Sequence, residues 1–392
     1  MRVLGLMSGT SADGIDAALV DWPDDSAARP FELIGYRETP HESALQAEIH
    51  RLAAGDLPAG RILEEQVRLD RVLGDAFADA VEHFVASTGV ALEEIDAIAS
   101  HGQTIAHHPE HGGTLQIGCP ATIAERLRRP VVADFRRRDA AMGGEGAPLA
   151  PFFHHAVFAD SSEARGVLNL GGIANLTWLP AGCDASERAR EVMAFDVGPA
   201  NSLVDGVVSL ATDGRERFDR DGQRARAGNI IEAWRAELAA DPYLDRAPPK
   251  STGRERYGIA EARSWLARAA EAGVSTEDLI ATLVIGSVDA IARSWRELSE
   301  RAPENPAGRL LVGGGGALNP FVMEALAESM PGVHIEPMDV AGVPADAAEA
   351  MAFSLLGRNA LLGLPNQLPQ CTGVDRAAVL GVVHGAEWLR RR

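Results

Sequence analysis

Residues 4–16 read LGLMSGTSADGID, an apolar run that leads into a turn of glycine and small polar side chains. Short apolar runs bounded by turn residues indicate β-strands. Strands are predicted at Arg2 to Met7, Ile15 to Asp21 and Phe31 to Tyr36, with turn-rich segments between them. The first forty residues therefore predict a three-stranded meander.

The sequence after this meander alternates between helical and strand patterns. Apolar residues at helical spacing predict an amphipathic helix from about Leu63 to Thr88, and Gly89 is placed to end it. Strands are predicted at Ile95 to Ser100 and Val131 to Phe135, with a helix between them that starts at Pro120. Three strands, a helix, a strand, a helix and a strand form the pattern of a ribonuclease-H-like domain.

A second, weaker copy of this pattern begins near residue 166. The stretch GVLNLGGIANLTWL predicts a strand, a Gly-Gly turn and another strand, and it is followed by a strand at Met193 to Val197 and by helix-rich sequence. Ser275 is the predicted N-cap of a helix in that sequence, with Asp278 three residues on. Strands at Arg309 to Val312 and His334 to Pro337 precede the last predicted helix, from about Pro344 to Leu362.

The predicted fold class is therefore α/β, a duplicated ribonuclease-H-like fold with two lobes. The lobes are assigned to residues 1–145 and 146–392, joined around the glycine-rich stretch GGEGAPLAP. A cleft between two such lobes is the expected ligand site.

Composition excludes several classes of partner. The 392 residues include 37 Lys and Arg against 56 Asp and Glu, a net charge of −19 that repels nucleic acid and anionic membranes. Three cysteines lie far apart without a C-x-x-C pair, which argues against a disulfide framework. No apolar run reaches membrane-spanning length, so we expect a cytoplasmic protein.

Three turns rich in glycine follow predicted strands directly. They are Ser8-Gly9-Thr10-Ser11, Gly171-Gly172 and Gly313 to Gly316. Amides in such turns can bind phosphate because no Cβ blocks the approach, although any one of them is also compatible with an ordinary tight turn. No G-x-x-x-x-G-K-[ST] loop and no G-x-G-x-x-G after a strand is present, so Walker-type and Rossmann nucleotide sites are set aside.

Nine phrases, with the helix around Glu349 as a tenth element, match one family in order along the chain. The phrases are LGLMSGTSADGID, SHGQTIAHHP, LQIGCPATIAERL, VVADFRRRDAAMGGEGAPL, VLNLGGIANLT, FDVGPANSLVD, FDRDG, PPKSTGRERYG and LLVGGGGALNP. From Leu4 to near Thr372 the chain resembles the anhydro-N-acetylmuramic acid kinases, which belong to the actin-like ATPase, sugar kinase and heat-shock chaperone superfamily.

The resemblance implies an activity and its reactants. The enzyme would open 1,6-anhydro-N-acetylmuramic acid with water and phosphorylate O6, giving N-acetylmuramic acid 6-phosphate and ADP in peptidoglycan recycling. ATP is the implied co-substrate, Mg²⁺ the implied metal ion with unknown ligands, and a homodimer the implied assembly.

The resemblance also implies which residues hold the nucleotide. The ATP phosphates would be bound by the first turn and by Gly171 and Gly172, and the adenosine would lie near the third turn. The first turn comprises Gly9, Thr10, Ser11, Ala12, Asp13, Gly14, Ile15 and Asp16, and the third comprises Gly313, Gly314, Gly315 and Gly316.

Asp196 is the candidate catalytic base. It ends a predicted strand, and Gly198 and Pro199 open a helix whose positive end faces nearby anions. A carboxylate that merely caps helix amides is the alternative from the residues alone. The resemblance implies that Asp196 takes the proton from the water that attacks the anomeric carbon.

Substrate contacts are also implied by the resemblance. They fall on Thr104, Arg138 and Glu349, with Gln103, Asp134 and Lys250 as further candidates. An arginine suits the lactyl carboxylate because its planar fork binds two oxygens at once, although a surface arginine is the ordinary alternative.

The chain departs from the family and superfamily patterns at a few positions. Met7 stands where the superfamily has an aspartate that serves the metal ion, and Asp13, Asp16 or Asp196 could replace it. Ala12 replaces a larger apolar residue and Glu145 a glutamine. Ala200 replaces a glycine, which would strain the backbone if φ is positive there.

Two rival functions remain open at this point. His101, His107, His108 and His111 could form the metal site of a hydrolase, although no H-E-x-x-H is present and Pro109 with the glycines suggests a loop. A non-catalytic actin-like ATP-binding module would keep the glycine turns and need no sugar-binding residues.

Overall fold

A computed structural model describes residues 1–184, 188–301 and 308–389. Internal contacts divide the chain into two units. Unit 1 comprises Met1–Val157 together with Gly342–Arg392, and unit 2 comprises Phe158–Ala341.

The strands alternate with helices along most of the chain. The strands are β1 (Arg2–Ser8), β2 (Gly14–Asp21), β3 (Glu32–Pro40), β4 (Ala97–His108), β5 (Gly113–Ile117), β6 (Val131–Ala133), β7 (Arg165–Leu170), β8 (Ile173–Leu179), β9 (Met193–Pro199), β10 (Arg309–Gly313), β11 (His334–Pro337) and β12 (Val382–His384).

The helices follow the same chain order. They are α1 (Ser43–Ala53), α2 (Ile62–Thr88), α3 (Pro120–Leu127), α4 (Phe135–Ala141), α5 (Ala150–Phe158), α6 (Asn201–Ala211), α7 (Gln223–Ala227), α8 (Glu232–Ala239), α9 (Arg254–Tyr257), α10 (Ile259–Ala272), α11 (Thr276–Arg301), α12 (Pro320–Ser329), α13 (Ala348–Leu361) and α14 (Pro369–Thr372).

Unit 1 is built on a mixed sheet. Its strand order is β12-β6-β4-β1-β2-β3, and β5 forms a hairpin with β4. The pairs β1–β2 and β2–β3 are antiparallel, whereas β1–β4 and β4–β6 are parallel. Consecutive strands therefore make the meander, and the parallel neighbours are reached through helical crossovers.

Unit 2 repeats this plan. Its strand order is β11-β10-β7-β8-β9. The pairs β7–β8 and β8–β9 are antiparallel, and β7–β10 and β10–β11 are parallel. In both sheets the first three strands form a meander and the first strand pairs in parallel with a later one. This shared order confirms the predicted duplicated ribonuclease-H-like α/β fold.

The sheet of unit 1 is covered on its two faces by α2 and α13. Leu73, Phe77 and Phe84 of α2 are fully buried in the core on one face. On the other face α13 approaches β1 so closely that a Cβ built on Gly5 would lie 1.8 Å from the carbonyl oxygen of Ala350. Only glycine fits at that position of β1.

The core of unit 2 is formed by α11 and the face of its sheet. The rings of Trp178 on β8 and Trp295 on α11 meet edge to face with centroids 4.9 Å apart, an arrangement that adds to their burial. The predicted cap of α11 is present, because the amide of Asp278 donates to Ser275 Oγ at 3.1 Å.

The structure differs from the sequence-based description in three places. The division between the units falls near residue 157 rather than 145, and residues 342–392 belong with unit 1, because α13 packs on β1 and β4. β4 continues through His108, since β5 supplies an antiparallel partner for the histidine-rich stretch that suggested a loop. Residues after Ala133 turn into α4 instead of extending the strand to Phe135.

Candidate active site

The Gly171–Gly172 turn of unit 2 connects β7 to β8 and packs on the start of α6. The Gly171 carbonyl accepts from the amide of Asn201 at 3.1 Å, and the Gly172 carbonyl accepts from the amides of Ala200 and Ser202 at 3.0 and 3.1 Å. In a trans peptide the N–H points opposite to the preceding C=O. The amide of Gly172 is therefore directed away from α6.

The Gly313 to Gly316 turn lies beside Gly171. β10 and β7 are parallel neighbours with Gly313 opposite Asn169, so both turns leave the same edge of the sheet. Gly314 has φ of +76°, and a Cβ built on it would lie 2.3 Å from Asn169 Oδ1. A Cβ built on Gly316 would lie 2.6 Å from the Leu170 side chain. Glycine is required at both positions because this turn packs against Asn169 and Leu170 at the end of β7.

Asp196 lies on β9, which pairs with β8 and runs toward the same edge of the sheet. Its carboxylate is held from three directions. Asn175 Nδ2 donates to Oδ1, and the Ser251 hydroxyl and the Thr252 amide donate to Oδ2 at 3.0 and 2.9 Å. The half-buried carboxylate is thereby fixed in one orientation.

Lys250 supports the Asp196 loop and is itself buried. Its ammonium donates to the Leu244 carbonyl at 3.2 Å and lies 4.8 Å from the ring centroid of Tyr243. Burial lowers the pKa of Lys250. The backbone of Lys250 accepts from the Asp196 amide at 3.1 Å. Lys250 thus holds the loop that carries Ser251 and Thr252.

The first predicted turn is shorter in the structure: residues 9–13 connect β1 to β2 in unit 1, and Gly14, Ile15 and Asp16 lie on β2. The Ala12 amide donates to the Gly9 carbonyl at 3.1 Å, and the Ser11 hydroxyl donates to Asp13 Oδ1 at 2.8 Å. Thr10, Ser11 and Asp13 are exposed. The turn is therefore held by its own hydrogen bonds, and its exposed residues are accessible to a ligand.

Gln103 on β4 is tied to this turn. Its Nε2 donates to the Gly9 carbonyl at 2.9 Å, and the Ser8 hydroxyl lies 2.7 Å from its Oε1. The side chain is fully buried. Gln103 therefore positions the glycine turn.

Asp16 has an unfavourable environment for a carboxylate. Burial raises its pKa to about 6. The Tyr36 hydroxyl, which donates to Oδ1 at 2.5 Å, opposes that rise, whereas Glu38, Glu349 and Asp13 increase it. A carboxyl surrounded by acidic neighbours attracts a cation.

Arg136 contacts the ring of His101, and its charge interacts with that of Glu349 on α13. Arg136 Nε donates to His101 Nε2 at 2.9 Å, so the Nδ1 of His101 donates to the Gly102 carbonyl at 2.8 Å. Burial, and then the nearby Arg136, lower the pKa of His101 well below its usual value, which keeps the ring neutral. Burial lowers the pKa of Arg136 to about 10, and Glu349 opposes that change.

Glu349 lies at the first turn of α13. Its side chain reaches solvent, yet the protein atoms around it raise the pKa of its carboxyl, and Arg136 opposes that rise. The negative charge of Glu349 also raises the pKa of Asp16. The predicted residues Asp16 and Glu349 are thus electrostatically coupled within unit 1.

The remaining predicted substrate residues are more dispersed. Arg138 is exposed and donates to the Val379 carbonyl at 2.7 Å. It lies two positions from Arg136 on α4, so the two guanidinium groups leave different faces of that helix. Thr104 accepts from Gln116 on the β4–β5 hairpin at 3.2 Å, and Asp134 accepts from Arg137 at 2.6 Å.

A cavity of about 340 Å³ lies within unit 1, on the side of β4 covered by α2 and α3. Its lining combines polar and apolar side chains and includes Asp134 among the predicted substrate residues. Gln103, Thr104, Arg138 and Glu349 do not line it. Of the predicted substrate-binding residues, only Asp134 therefore lines the cavity.

The histidine-rich stretch does not form a metal centre. Among the described residues, no group of three His, Cys, Asp or Glu side chains is arranged to hold a metal ion. His101 is buried against Arg136, whereas His107, His108 and His111 are exposed. This arrangement disfavours the hydrolase alternative.

The chain matches a family model over nearly its whole length. The model is described as Anhydro-N-acetylmuramic acid kinase and matches residues 1–386. The chain belongs to the anhydro-N-acetylmuramic acid kinase family.

Relatives of that name come from distant bacteria. The protein of Shewanella denitrificans is 40% identical over 386 residues, covering 98% of each chain. That of Caldanaerobacter subterraneus subsp. tengcongensis is 36% identical over 389 residues, covering 97% of this chain and 96% of the relative.

Similar solved structures share little sequence with this member of the family. One is the activator of the 2-hydroxyisocaproyl-CoA dehydratase from Clostridium difficile with bound ADPNP, with a TM-score of 0.43, 12% identity and coverage of 92% and 95%. Another is a ROK family glucokinase from Streptomyces griseus in complex with glucose and AMPPNP, with a TM-score of 0.38, 14% identity and coverage of 92% and 100%. The strand orders of the two sheets, and not these structural similarities, identify the fold.

The backbone bears on two of the departures from the family pattern. Ala200 has φ of −126°, so the positive φ that would call for glycine is not found there. Ala12 has φ of +48° and is fully buried. Glu145 is exposed, and its amide donates to the Thr372 carbonyl at 2.8 Å. Met7 pairs with Asp16 across β1 and β2, which places these two side chains on the same face of the sheet.

Several residues at the site were not among the sequence-based candidates. Asn175, Ser251 and Thr252 orient Asp196. Arg136 contacts His101 and acts on Glu349. If α4 had been predicted, Arg136 could have been distinguished from Arg138, because residues two positions apart on a helix point in different directions.

Proposed function

We propose that this protein is an ATP-dependent kinase that opens 1,6-anhydro-N-acetylmuramic acid with water and phosphorylates O6. Family membership supports the substrate class. The observation that carries the proposal is the Asp196 carboxylate, held by three donors on the strand that ends beside the Gly171–Gly172 turn. A fixed base next to a phosphate-binding turn suits hydrolysis coupled to phosphoryl transfer.

The proposed reaction balances around one water molecule. Water oxygen bonds to the anomeric carbon as the bond from that carbon to O6 breaks, and the water proton goes to the Asp196 carboxylate. O6 then bonds to the γ-phosphorus, and the bond from that phosphorus to the β–γ bridging oxygen breaks. The products are N-acetylmuramic acid 6-phosphate and ADP.

The glycine turns are proposed to position the nucleotide. Amides of residues 9–16 in unit 1 and of Gly171 and Gly172 in unit 2 would bind phosphate, and residues 313–316 would lie near the adenosine. Positioning and charge neutralisation provide most of the catalysis in phosphoryl transfer.

Arg136 and Glu349 are proposed to bind the sugar, together with Thr104. Arg136 is held by His101 and by the Gly146 carbonyl, to which it donates at 2.9 Å. A preorganised guanidinium suits a carboxylate such as the lactyl group. Arg138, which donates to the Val379 carbonyl, is the alternative.

Mg²⁺ fits the residues of unit 1 as a partner of the triphosphate. Mg²⁺ prefers oxygen ligands and commonly uses one or two carboxylates together with phosphates. Asp16 lies opposite Met7 and is surrounded by acidic side chains, so we propose it as the carboxylate that serves the metal ion. The ion would neutralise phosphate charge when bound.

The cytoplasm is the proposed location. No helix among the described residues is long and apolar enough to cross a membrane.

A homodimer is proposed as the assembly. Leu63 and Val67, one turn apart on α2, are 75% and 73% exposed, which supports a second copy covering this face. Light scattering should give twice the chain mass for the wild-type protein and a single chain mass for Leu63→Asp/Val67→Asp. A monomeric wild-type protein would contradict this assembly.

The activity is tested with the anhydro sugar, ATP and isotopically labelled water. The label should enter the hydroxyl at the anomeric carbon, and phosphate should be found on O6. Asp196→Asn should lower ADP formation by at least about a thousandfold while nucleotide binding persists.

The matched control is Asp339→Asn, which changes an exposed carboxylate in the same unit and should behave as wild type. Near-normal turnover by Asp196→Asn would contradict the assignment of the base. ATP binding without ADP formation in the presence of the sugar would favour the non-catalytic ATP-binding module.

A further inference from the structure

Arg254 lies against the Gly171–Gly172 turn, and no role has been assigned to it above. A Cβ built on Gly172 would lie 3.5 Å from Nε and 3.7 Å from Nη2 of Arg254. The side chain is exposed, and it stands at the first position of α9. A guanidinium group is thus adjacent to a turn that has been proposed to bind phosphate.

The start of α6 fixes both the turn and α9. The Ser202 amide donates to the Gly172 carbonyl at 3.1 Å, and the Ser202 hydroxyl donates to the Tyr257 carbonyl at 2.6 Å. Tyr257, the last residue of α9, is buried, and its hydroxyl donates to Asp241 at 2.8 Å. Two hydrogen bonds at Tyr257 therefore hold the end of α9 close to the start of α6.

Asp205 provides a carboxylate for Arg254. It lies three positions after Ser202 on α6, so the two side chains share a face of that helix. Burial raises the pKa of Asp205 to about 7, Arg254 opposes that rise, and Asp219 adds to it. The Asp205 carboxyl therefore lies on the face of α6 that carries Ser202, near enough to Arg254 for the two charges to interact.

We propose that Arg254 binds a β- or γ-phosphoryl oxygen of the nucleotide beside Gly172, and that Asp205 positions it. The inference rests on the proposed function, because it deepens the assignment of the Gly171–Gly172 turn. Arginine suits this role because its planar donors match phosphate geometry and its charge is retained at neutral pH. The Gly172 amide, directed away from α6, would bind the same group.

The test compares the affinities of ATP, ADP and AMP for the full-length protein by calorimetry. Arg254→Gln should weaken ATP binding about ten- to a hundredfold, the effect of losing one charged hydrogen bond. AMP lacks the β- and γ-phosphates, so its affinity should stay within about twofold. Arg254→Lys keeps a charge and should retain part of the ATP affinity.

The matched control is Arg263→Gln, an exposed arginine on α10 in the same unit, whose ATP affinity should equal that of wild type. Unchanged ATP binding by Arg254→Gln would overturn the proposal. Equal losses of ATP and AMP affinity would also overturn it, because they would indicate a structural role. Arg254→Lys provides the same comparison if the glutamine variant fails to fold.

The positioning role of Asp205 is tested with a double variant. Asp205→Asn should weaken ATP binding less than Arg254→Gln does, again without affecting AMP. In the Arg254→Gln background, Asp205→Asn should have no further effect, because the group that it positions is absent. A full additional loss in that background would overturn the positioning role.

Sugar-dependent turnover distinguishes this proposal from the proposed function. A wild-type protein that binds ATP but forms no ADP with the anhydro sugar would contradict the kinase activity. The nucleotide series would still decide whether Arg254 binds phosphate.

Discussion

Gly314 and Gly315 are adjacent residues with different requirements. Gly314 has φ of +76° and contacts Asn169, whereas a Cβ built on Gly315 would meet nothing within 4 Å. Gly314→Ala should therefore lower the free energy of unfolding by about 2–4 kcal/mol, from backbone strain and overlap together. Thermal unfolding followed by circular dichroism measures this change.

Gly315→Ala is the control for this prediction and should change the free energy of unfolding by less than about 0.5 kcal/mol. Equal unfolding temperatures for the two variants would show that the close contact of Gly314 with the end of β7 is not needed.

Asp16 makes stability depend on pH in a direction that can be tested. Its folded pKa of about 6 lies above the ordinary value of 3.8, so the folded state binds the proton more tightly. Stability is therefore lost as pH rises through this range, and Asp16→Asn removes that loss. At pH 8 the variant should be more stable by on the order of 1 kcal/mol after solvent screening.

Thermal unfolding from pH 4 to pH 8 checks the sign. The advantage of Asp16→Asn should shrink as pH falls below about 6, and Asp56→Asn, an exposed control, should show no such trend. If Asp16 also serves the metal ion, the stabilised variant should lose kinase activity. A variant that is less stable than wild type at pH 8 would contradict the prediction.

Local sequence patterns predicted some site residues better than others. Ser275, although outside the site, was correctly expected at a helix start, because its hydrogen bond is local. Arg138 stays a predicted substrate contact, and no pattern indicated Arg136, because α4 was not predicted. That helix follows Asp134, which has φ of +61°, a conformation uncommon for residues other than glycine.

At the level of elements, β1 and α13 depend on each other. A Cβ on Gly5 would lie 1.8 Å from the Ala350 carbonyl oxygen, an overlap with backbone that no rotamer can relieve. Gly5→Ala should lower the free energy of unfolding by about 3 kcal/mol or more, or prevent folding. Chemical denaturation measures this loss.

The control for this element is Gly113→Ala in β5, where a Cβ would meet nothing within 4 Å. It should unfold within about 0.5 kcal/mol of wild type. Wild-type stability of Gly5→Ala would mean that α13 does not pack as closely on β1 as the structure indicates.

Strand and helix patterns were predicted well where one face is buried. The predicted helix from Leu63 to Thr88 matches α2, and the strand at His334 to Pro337 matches β11. β4 was predicted to end at Ser100 because polar and histidine residues follow. Its extension depends on pairing with β5, a contact that composition does not reveal.

At the level of the whole molecule, the first unit is completed by the end of the chain. α13 buries Met351, Leu355 and Leu356 in unit 1, although more than 180 residues of unit 2 intervene. Gln367 and Thr372 donate to the fully buried Asp139 at 2.9 and 2.7 Å. The sequence-based boundary at residue 145 missed this return, because such long-range packing leaves no local pattern.

A chain that ends at Ala341 should therefore fail to fold unit 1. It lacks three buried side chains worth about 5 kcal/mol or more in total, comparable to the whole stability of a domain. It would also leave the Asp139 carboxylate without two of its donors. Amide hydrogen exchange should show loss of protection in β1, β2 and β4, whereas residues 158–341, contiguous in sequence with their own core, should remain protected.

A chain that ends at Leu389 is the control for this prediction, because it keeps every described residue and should exchange as the full chain does. Protection of β1 and β4 in the chain that ends at Ala341 would show that α13 is dispensable. Loss of protection in β7 and β10 as well would show that unit 2 needs more than its own core. The truncation removes contacts that belong to unit 1. The prediction therefore requires that the amides of unit 1 exchange while those of unit 2 stay protected.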